Sequence, residues 1–91
     1  MSGNDIGVRR RRALWRATHR GTKEMDFLLG RFATQTVDAM DAAEIDVLER
    51  LIDTPDPKIE LSFFSGQSLG AADLDELMAR MRRFHDKTTA G

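Results

Sequence analysis

Histidine, the side chain best placed to move a proton near neutral pH, occurs twice in this 91-residue chain, as His19 and His85. Both lie near arginines, and neither belongs to a His-x-x-Glu-His or similar ligand pattern. Each is read as a solvated or capping residue at a helix end. The chain has no cysteine, which excludes disulfides, thiolate metal sites, c-type haem attachment and thiol nucleophiles. Asp38, Asp41, Glu44, Asp46, Glu49 and Asp53 have the spacing of one solvated helix face; a calcium loop would need alternate acids around a glycine and a terminal glutamate. Gly66-Gln67-Ser68-Leu69-Gly70 lacks the lysine of a phosphate-binding loop and follows no strand. No catalytic residue and no metal ligand emerges, so the chain reads as a binding protein rather than an enzyme.

Two segments carry recognition chemistry instead. Arg9-Arg10-Arg11-Arg12, with Trp15 and Arg16, offers cations to a phosphate backbone. Arg20-Gly21-Thr22-Lys23-Glu24 combines a forked donor, a glycine that turns the chain at low steric cost and a carboxylate. Residues 1–23 carry seven bases against one acid, a formal +6, while residues 24–91 sum to −7. That acidic remainder opposes nucleic acid, and no recognition helix follows a helix-turn-helix turn. Val8, Leu14 and Trp15 are the only apolar anchors of the basic segment, too few for a membrane surface. A local Arg20–Glu24 ion pair would contribute only ~0.3–0.5 kcal/mol. Trp15, with ~200 Å² to bury, is expected in the core, its other reading being a partner contact. The candidate partner-binding set is Arg20, Gly21 and Glu24, together with Trp15, Arg16, His19, Lys23 and Asp26.

Helices must position these residues. Met25, Leu28, Leu29 and Phe32 recur at i, i+3, i+4 and i+7, which predicts a helix over about 23–36 preceded by one over 8–19 whose inward residues are Leu14 and Ala17. Asp41 and Glu44 form a capping-box pattern with Met40 and Ile45 at staple positions, predicting a third helix to about Asp53. Thr54-Pro55 stops it. Asp56 and Pro57 are read as cap and first residue of a fourth helix, and Leu74, Leu77, Met78, Met81 and Phe84 mark a fifth, about 71–87. The fold class is all-α, a small five-helix bundle in one domain over residues 8–87, with flexible ends at 1–7 and 88–91. No apolar run approaches the ~20 residues of a membrane span, and Met1-Ser2-Gly3-Asn4-Asp5 lacks a secretory pattern. A cytoplasmic protein without membrane insertion is expected.

Over about residues 8–85 the sequence resembles the SdhE family, also called YgfY, assembly factors for the flavoprotein subunit of succinate dehydrogenase. The likeness lies in the arginine-rich first helix, Arg20-Gly21-Thr22-Lys23-Glu24 as Arg-Gly-x-x-Glu, Met25-Asp26-Phe27-Leu28-Leu29, Leu48-Glu49-Arg50-Leu51-Ile52 and Asp56-Pro57. The resemblance implies a small helical bundle that binds the unassembled flavoprotein, with fumarate reductase as a further client, and promotes covalent attachment of FAD to a client histidine. It implies that Arg20, Gly21 and Glu24 form the contact surface, that FAD belongs to the client with none bound tightly here, and that a eukaryotic member works in the mitochondrial matrix. Where the family commonly has Asp-Pro-Asp-Leu followed by an aromatic and a tryptophan, this chain reads Asp56-Pro57-Lys58-Ile59-Glu60-Leu61-Ser62-Phe63-Phe64. The alternative is a small helical nucleic-acid-binding or regulatory protein using the arginine arm.

Overall fold

The stripe of Met25, Leu28, Leu29 and Phe32 is buried and sits at the centre of the molecule. A computed structural model describes the backbone of residues 5–89 and the side chains of 5–87. Five helices, with no strand among the described residues, pack around that stripe: α1 (Ile6–Thr18), α2 (residues 23–36), α3 (Ala42–Ile52), α4 (Asp56–Ser65) and α5 (Ala72–Thr89). A short 3-10 turn, Val37–Ala39, joins α2 to α3. The all-α five-helix reading therefore holds.

Helix α1 starts two residues before the expected Val8, because the Asp5 carboxylate accepts the N–H groups of Gly7 and Val8 at 2.8 and 3.3 Å. Residues 6 and 7 are thus helical; the expectation of flexible ends otherwise falls mainly on residues 1–4 and 90–91, outside the described residues. Ala13 and Ala17 form the buried face of α1, with Leu14 only partly covered. Trp15 is 62% exposed, which overturns its expected place in the core. At about 100° per residue it lies about 200° from both alanines, on the far side of the helix. Small residues on the near side let α1 approach closely: a Cβ on Gly30 would stand 3.3 Å from the carbonyl oxygen of Ala17.

Helix α2 is continuous, but Asp26–Gly30 within it winds as a π-helix, a local widening that periodicity does not reveal. The Leu28 carbonyl accepts a 2.7 Å hydrogen bond from His85 Nε2, which must carry the proton because a carbonyl only accepts. His85 is 5% exposed, with the rings of Phe27, Phe63 and Phe84 at 5.0, 5.6 and 5.0 Å. It is an interior bridge between α5 and α2 rather than the solvated or capping residue expected.

The α3 start matches its sequence pattern. Asp41 accepts the Glu44 N–H at 2.9 Å, Glu44 accepts the Asp41 N–H at 3.1 Å, and Met40 and Ile45 are both buried. Helix α4 begins one residue earlier than expected: Pro55 occupies the cap position, Asp56 the first helical turn, and no side chain caps the end. The Asp56 carboxylate is engaged elsewhere, by Arg20. Ile59 on α4 and Leu74, Leu77, Met78 and Met81 on α5 complete the core.

Asp41→Ala removes the better-specified cap of the molecule and is expected to lower stability by ~1 kcal/mol, or ~4–8 °C in Tm, in a thermal melt followed by circular dichroism.

Candidate functional site

The connection between α1 and α2 is short and internally tied. Gly21 has φ +95°, a conformation that a side chain would strain. Thr22 caps α2 by accepting the Met25 N–H at 3.2 Å. The Asp26 carboxylate reaches back to accept the Arg20 N–H at 3.0 Å. Two polar side chains thus hold the loop from within α2.

The Arg20 guanidinium fixes the loop from the other side. Its Nε donates to Asp56 Oδ1 at 3.0 Å, Nη2 to the same oxygen at 2.5 Å and to the Thr54 carbonyl at 3.1 Å, and Nη1 to the Ile52 carbonyl at 2.5 Å. The Ile52 carbonyl belongs to the last turn of α3, which has no acceptor duty within that helix. Only 12% of the Arg20 side chain is exposed. Arg20 pairs with Asp56, and among the described residues no ion pair joins it to Glu24.

Around this clamp Trp15, Arg16, His19, Arg20 and Asp56 line a shallow depression of about 330 Å³. Trp15 and His19, one helical turn apart, stack with ring centroids 4.2 Å apart and planes 12° from parallel. His19 Nδ1 donates to the Trp15 carbonyl at 2.7 Å, which fixes both the tautomer and the ring position. Arg16 pairs with Asp53 at 2.5 Å on the surface. Four of the expected partner-binding residues are therefore brought together: Trp15, Arg16, His19 and Arg20. Asp26 is turned inward to the loop, whereas Gly21 and Lys23 are exposed.

Glu24 faces a different neighbourhood. It lines a groove of about 730 Å³ together with Phe27, Phe63 and Phe64. Beside it stands Glu60, whose carboxyl is pushed up from its ordinary range by desolvation, by a hydrogen bond with Glu24, and by the charges of Glu24 and Asp56. Sequence reading passed over Glu60 and took Asp56 for a cap. The available signal was their spacing, since residues four apart share one face of α4.

The arginine segment lies down on the bundle. Arg9 meets Glu49 through two hydrogen bonds of 3.2 and 2.9 Å, and Arg10 donates to the Met40 carbonyl at 2.7 Å. Arg11 and Arg12 are exposed. Among the described residues, no group of three or more His, Asp or Glu side chains is placed to hold a metal ion, and no helix is long and apolar enough to cross a membrane.

Comparison with known proteins matches residues 11–85 to a family described as "Flavinator of succinate dehydrogenase". The chain is similar to the FAD assembly factor SdhE of Acetobacter pasteurianus, at 35% identity over 81 residues, covering 89% of this chain and 74% of that protein. It is also similar to mitochondrial succinate dehydrogenase assembly factor 2 of Scheffersomyces stipitis, at 37% identity over 54 residues, which are 59% of this chain and 36% of the relative. The corresponding protein of Debaryomyces hansenii is 36% identical over 55 residues, 60% of this chain and 39% of that one. The chain thus spans well under half of these yeast relatives. No solved structure matches.

Two expectations follow from the site's electrostatics. Lysine cannot reproduce a fork that donates to three acceptors, so Arg20→Lys should lower the free energy of unfolding in urea by about 2 kcal/mol. Glu60 has a raised folded-state pKa, so its contribution to stability is greatest below the ordinary value of 4.5 and is lost as pH rises through the folded value. Glu60→Gln should therefore raise Tm at neutral pH, with the gain vanishing below pH 4.5.

Proposed function

This chain belongs to the family of succinate dehydrogenase flavinators, and from that premise we propose that it binds the unassembled flavoprotein through the face that presents Trp15, Arg16, His19, Gly21 and Lys23, with Glu24 at the edge of that face. Arg20 and Asp26 give that face its shape. The protein is an assembly factor for covalent FAD attachment, and on this reading its role is positional, with no reacting group of its own. The observation that carries the proposal is the exposed, stacked Trp15–His19 pair beside a loop pinned at both ends. A tryptophan left wet on a small bundle is the kind of anchor that dominates interfaces, and a rigid loop loses little entropy on docking.

FAD stays with the client on this reading. In support, the Arg20 guanidinium that lines the depression is held by Asp56 and two carbonyls, so its fork is not free for a pyrophosphate. The chain acts by binding one client conformation more tightly than others, which is the only way a partner shifts an equilibrium. Fumarate reductase flavoprotein is a further client of the same chemistry. The place of action is that of client assembly: the cytoplasm of a bacterium or the mitochondrial matrix of a eukaryote.

The test is in-gel fluorescence of covalently bound flavin on the denatured succinate dehydrogenase flavoprotein, coexpressed with the wild-type chain, with single variants or with none. Trp15→Ala and Glu24→Ala, both at exposed positions, should each reduce flavin attachment about tenfold at limiting chain, the loss of ~1.4 kcal/mol expected for an interface anchor. Gly21→Arg should abolish it, since the new side chain is both strained at φ +95° and projected from the contact face. Equal fluorescence with and without the chain would remove the function for this client.

A further inference from the structure

Helices α1, α2 and α3 each begin behind a side chain that caps them, Asp5, Thr22 and Asp41 in turn. Helix α4 carries a carboxylate at the same end, on Asp56, yet has no side-chain cap. Asp56 holds Arg20 instead. Nε and Nη2 of the guanidinium donate to one and the same oxygen, Asp56 Oδ1. Of the five ion pairs among the described residues this is the most covered, with 12% of one side chain and 25% of the other exposed. A carboxylate available for a cap worth about 1 kcal/mol is thus committed to a residue 36 positions away.

What Arg20 restrains is the residue before it. Helix α1 ends at Thr18, and His19 has left the helical conformation, with φ −126° and ψ 50°. The ring of His19 therefore stays stacked on Trp15 only while the chain beyond it keeps its path. That path is fixed at Arg20 twice, by Asp26 at the backbone N–H and by Asp56 at the guanidinium. We propose that Asp56 is a positioning residue for client recognition, acting on the flavoprotein through Arg20, which sets His19 against Trp15. The assignment rests on the Trp15 face proposed above.

Trp15 is the single tryptophan of the chain, so the tryptophan band of the near-ultraviolet circular dichroism spectrum reports its surroundings alone. That band is read together with affinity for the FAD-free succinate dehydrogenase flavoprotein, titrated with the full chain at a temperature where melts show it folded. Asp56→Ala should weaken the band and lower affinity about tenfold. Asp41→Ala, at the end of α3 remote from Asp53, should lower Tm while leaving band and affinity as in wild type. An equal loss of affinity in Asp41→Ala would mean that affinity follows stability and would overturn the assignment, as would a wild-type band or affinity in Asp56→Ala. Should Asp56→Ala not fold, Asp56→Asn carries the test, because its amide oxygen still accepts from Nε and Nη2 but without the charge. A weaker band and an affinity about threefold below wild type would then support the role, and wild-type values would overturn it.

A double-mutant cycle fixes the route. The Arg20→Ala, Asp56→Ala double variant should bind the flavoprotein as Arg20→Ala alone does, since the carboxylate acts only through the guanidinium. A further loss in the double variant would place Asp56 against the client and overturn the positioning role. Trp15→Ala in the same titration separates the two readings. A fall in affinity there with none in Asp56→Ala overturns the positioning role alone, and no fall in either overturns the Trp15 face as well.

Discussion

One guanidinium sets the geometry of the recognition face. Arg20 joins three separate stretches of chain: its own loop, the last turn of α3 through Ile52, and the start of α4 through Thr54 and Asp56. Each interaction is charge-assisted, and the planar fork can meet a carboxylate and two carbonyls at once only from one position. The corner between α3 and α4 is therefore held at a fixed distance from the end of α1. Asp56 is drawn away from capping α4 in the exchange, and that helix begins behind a proline with no side-chain cap. A loop so restrained presents Trp15 and His19 in one arrangement before any partner arrives, which reduces the entropy lost on binding.

Charge is distributed by the same packing. The basic segment and the acidic helix, far apart in composition, face each other: Arg9 meets Glu49, Arg16 meets Asp53, and on the other side of α3 Arg80 meets Glu44. Individually such partly exposed pairs stabilise little. Collectively they lower the charge asymmetry that would otherwise dominate the field around the molecule. Glu24, Glu60 and Asp56 gather beside the loop, and only Asp56 has a basic partner there. Glu24 and Glu60 thus keep like charges together at the edge of the recognition surface.

What the sequence disclosed was what local spacing controls. The Met25–Phe32 stripe, the Asp41–Glu44 box and the stop at Thr54-Pro55 depend on residues within a turn or two of one another, and each appears where its pattern places it. Trp15 obeys its phase rather than its bulk: its position relative to Ala17 puts it on the outer face of α1. The π-winding at Asp26–Gly30 has no periodic signature, and the Leu28 carbonyl finds its donor in a histidine 57 residues away. Arg20 is the clearest case. Its residue type and its place in the Arg-Gly-x-x-Glu segment suggested a donor for a partner, but its carboxylate lies 36 residues downstream, and pairing across such a distance is decided by tertiary packing.

The five-residue segment therefore divides its work between shape and contact. Arg20 and Gly21 determine the path of the backbone, one by bonding inward and the other by accepting φ +95°, while Lys23 and Glu24 remain exposed. Stiffness continues past the segment, because His85 ties the π-turn of α2 to α5 and packs against Phe27 and Phe63, two of the rings that line the groove. Depression, loop and groove are thus parts of one braced surface. A flexible partner would adapt to any client conformation and select none, whereas a braced one has differential affinity for the conformation that matches it. Differential affinity is what an assembly factor without reacting groups must supply, since binding all client conformations equally shifts no population however tight the complex.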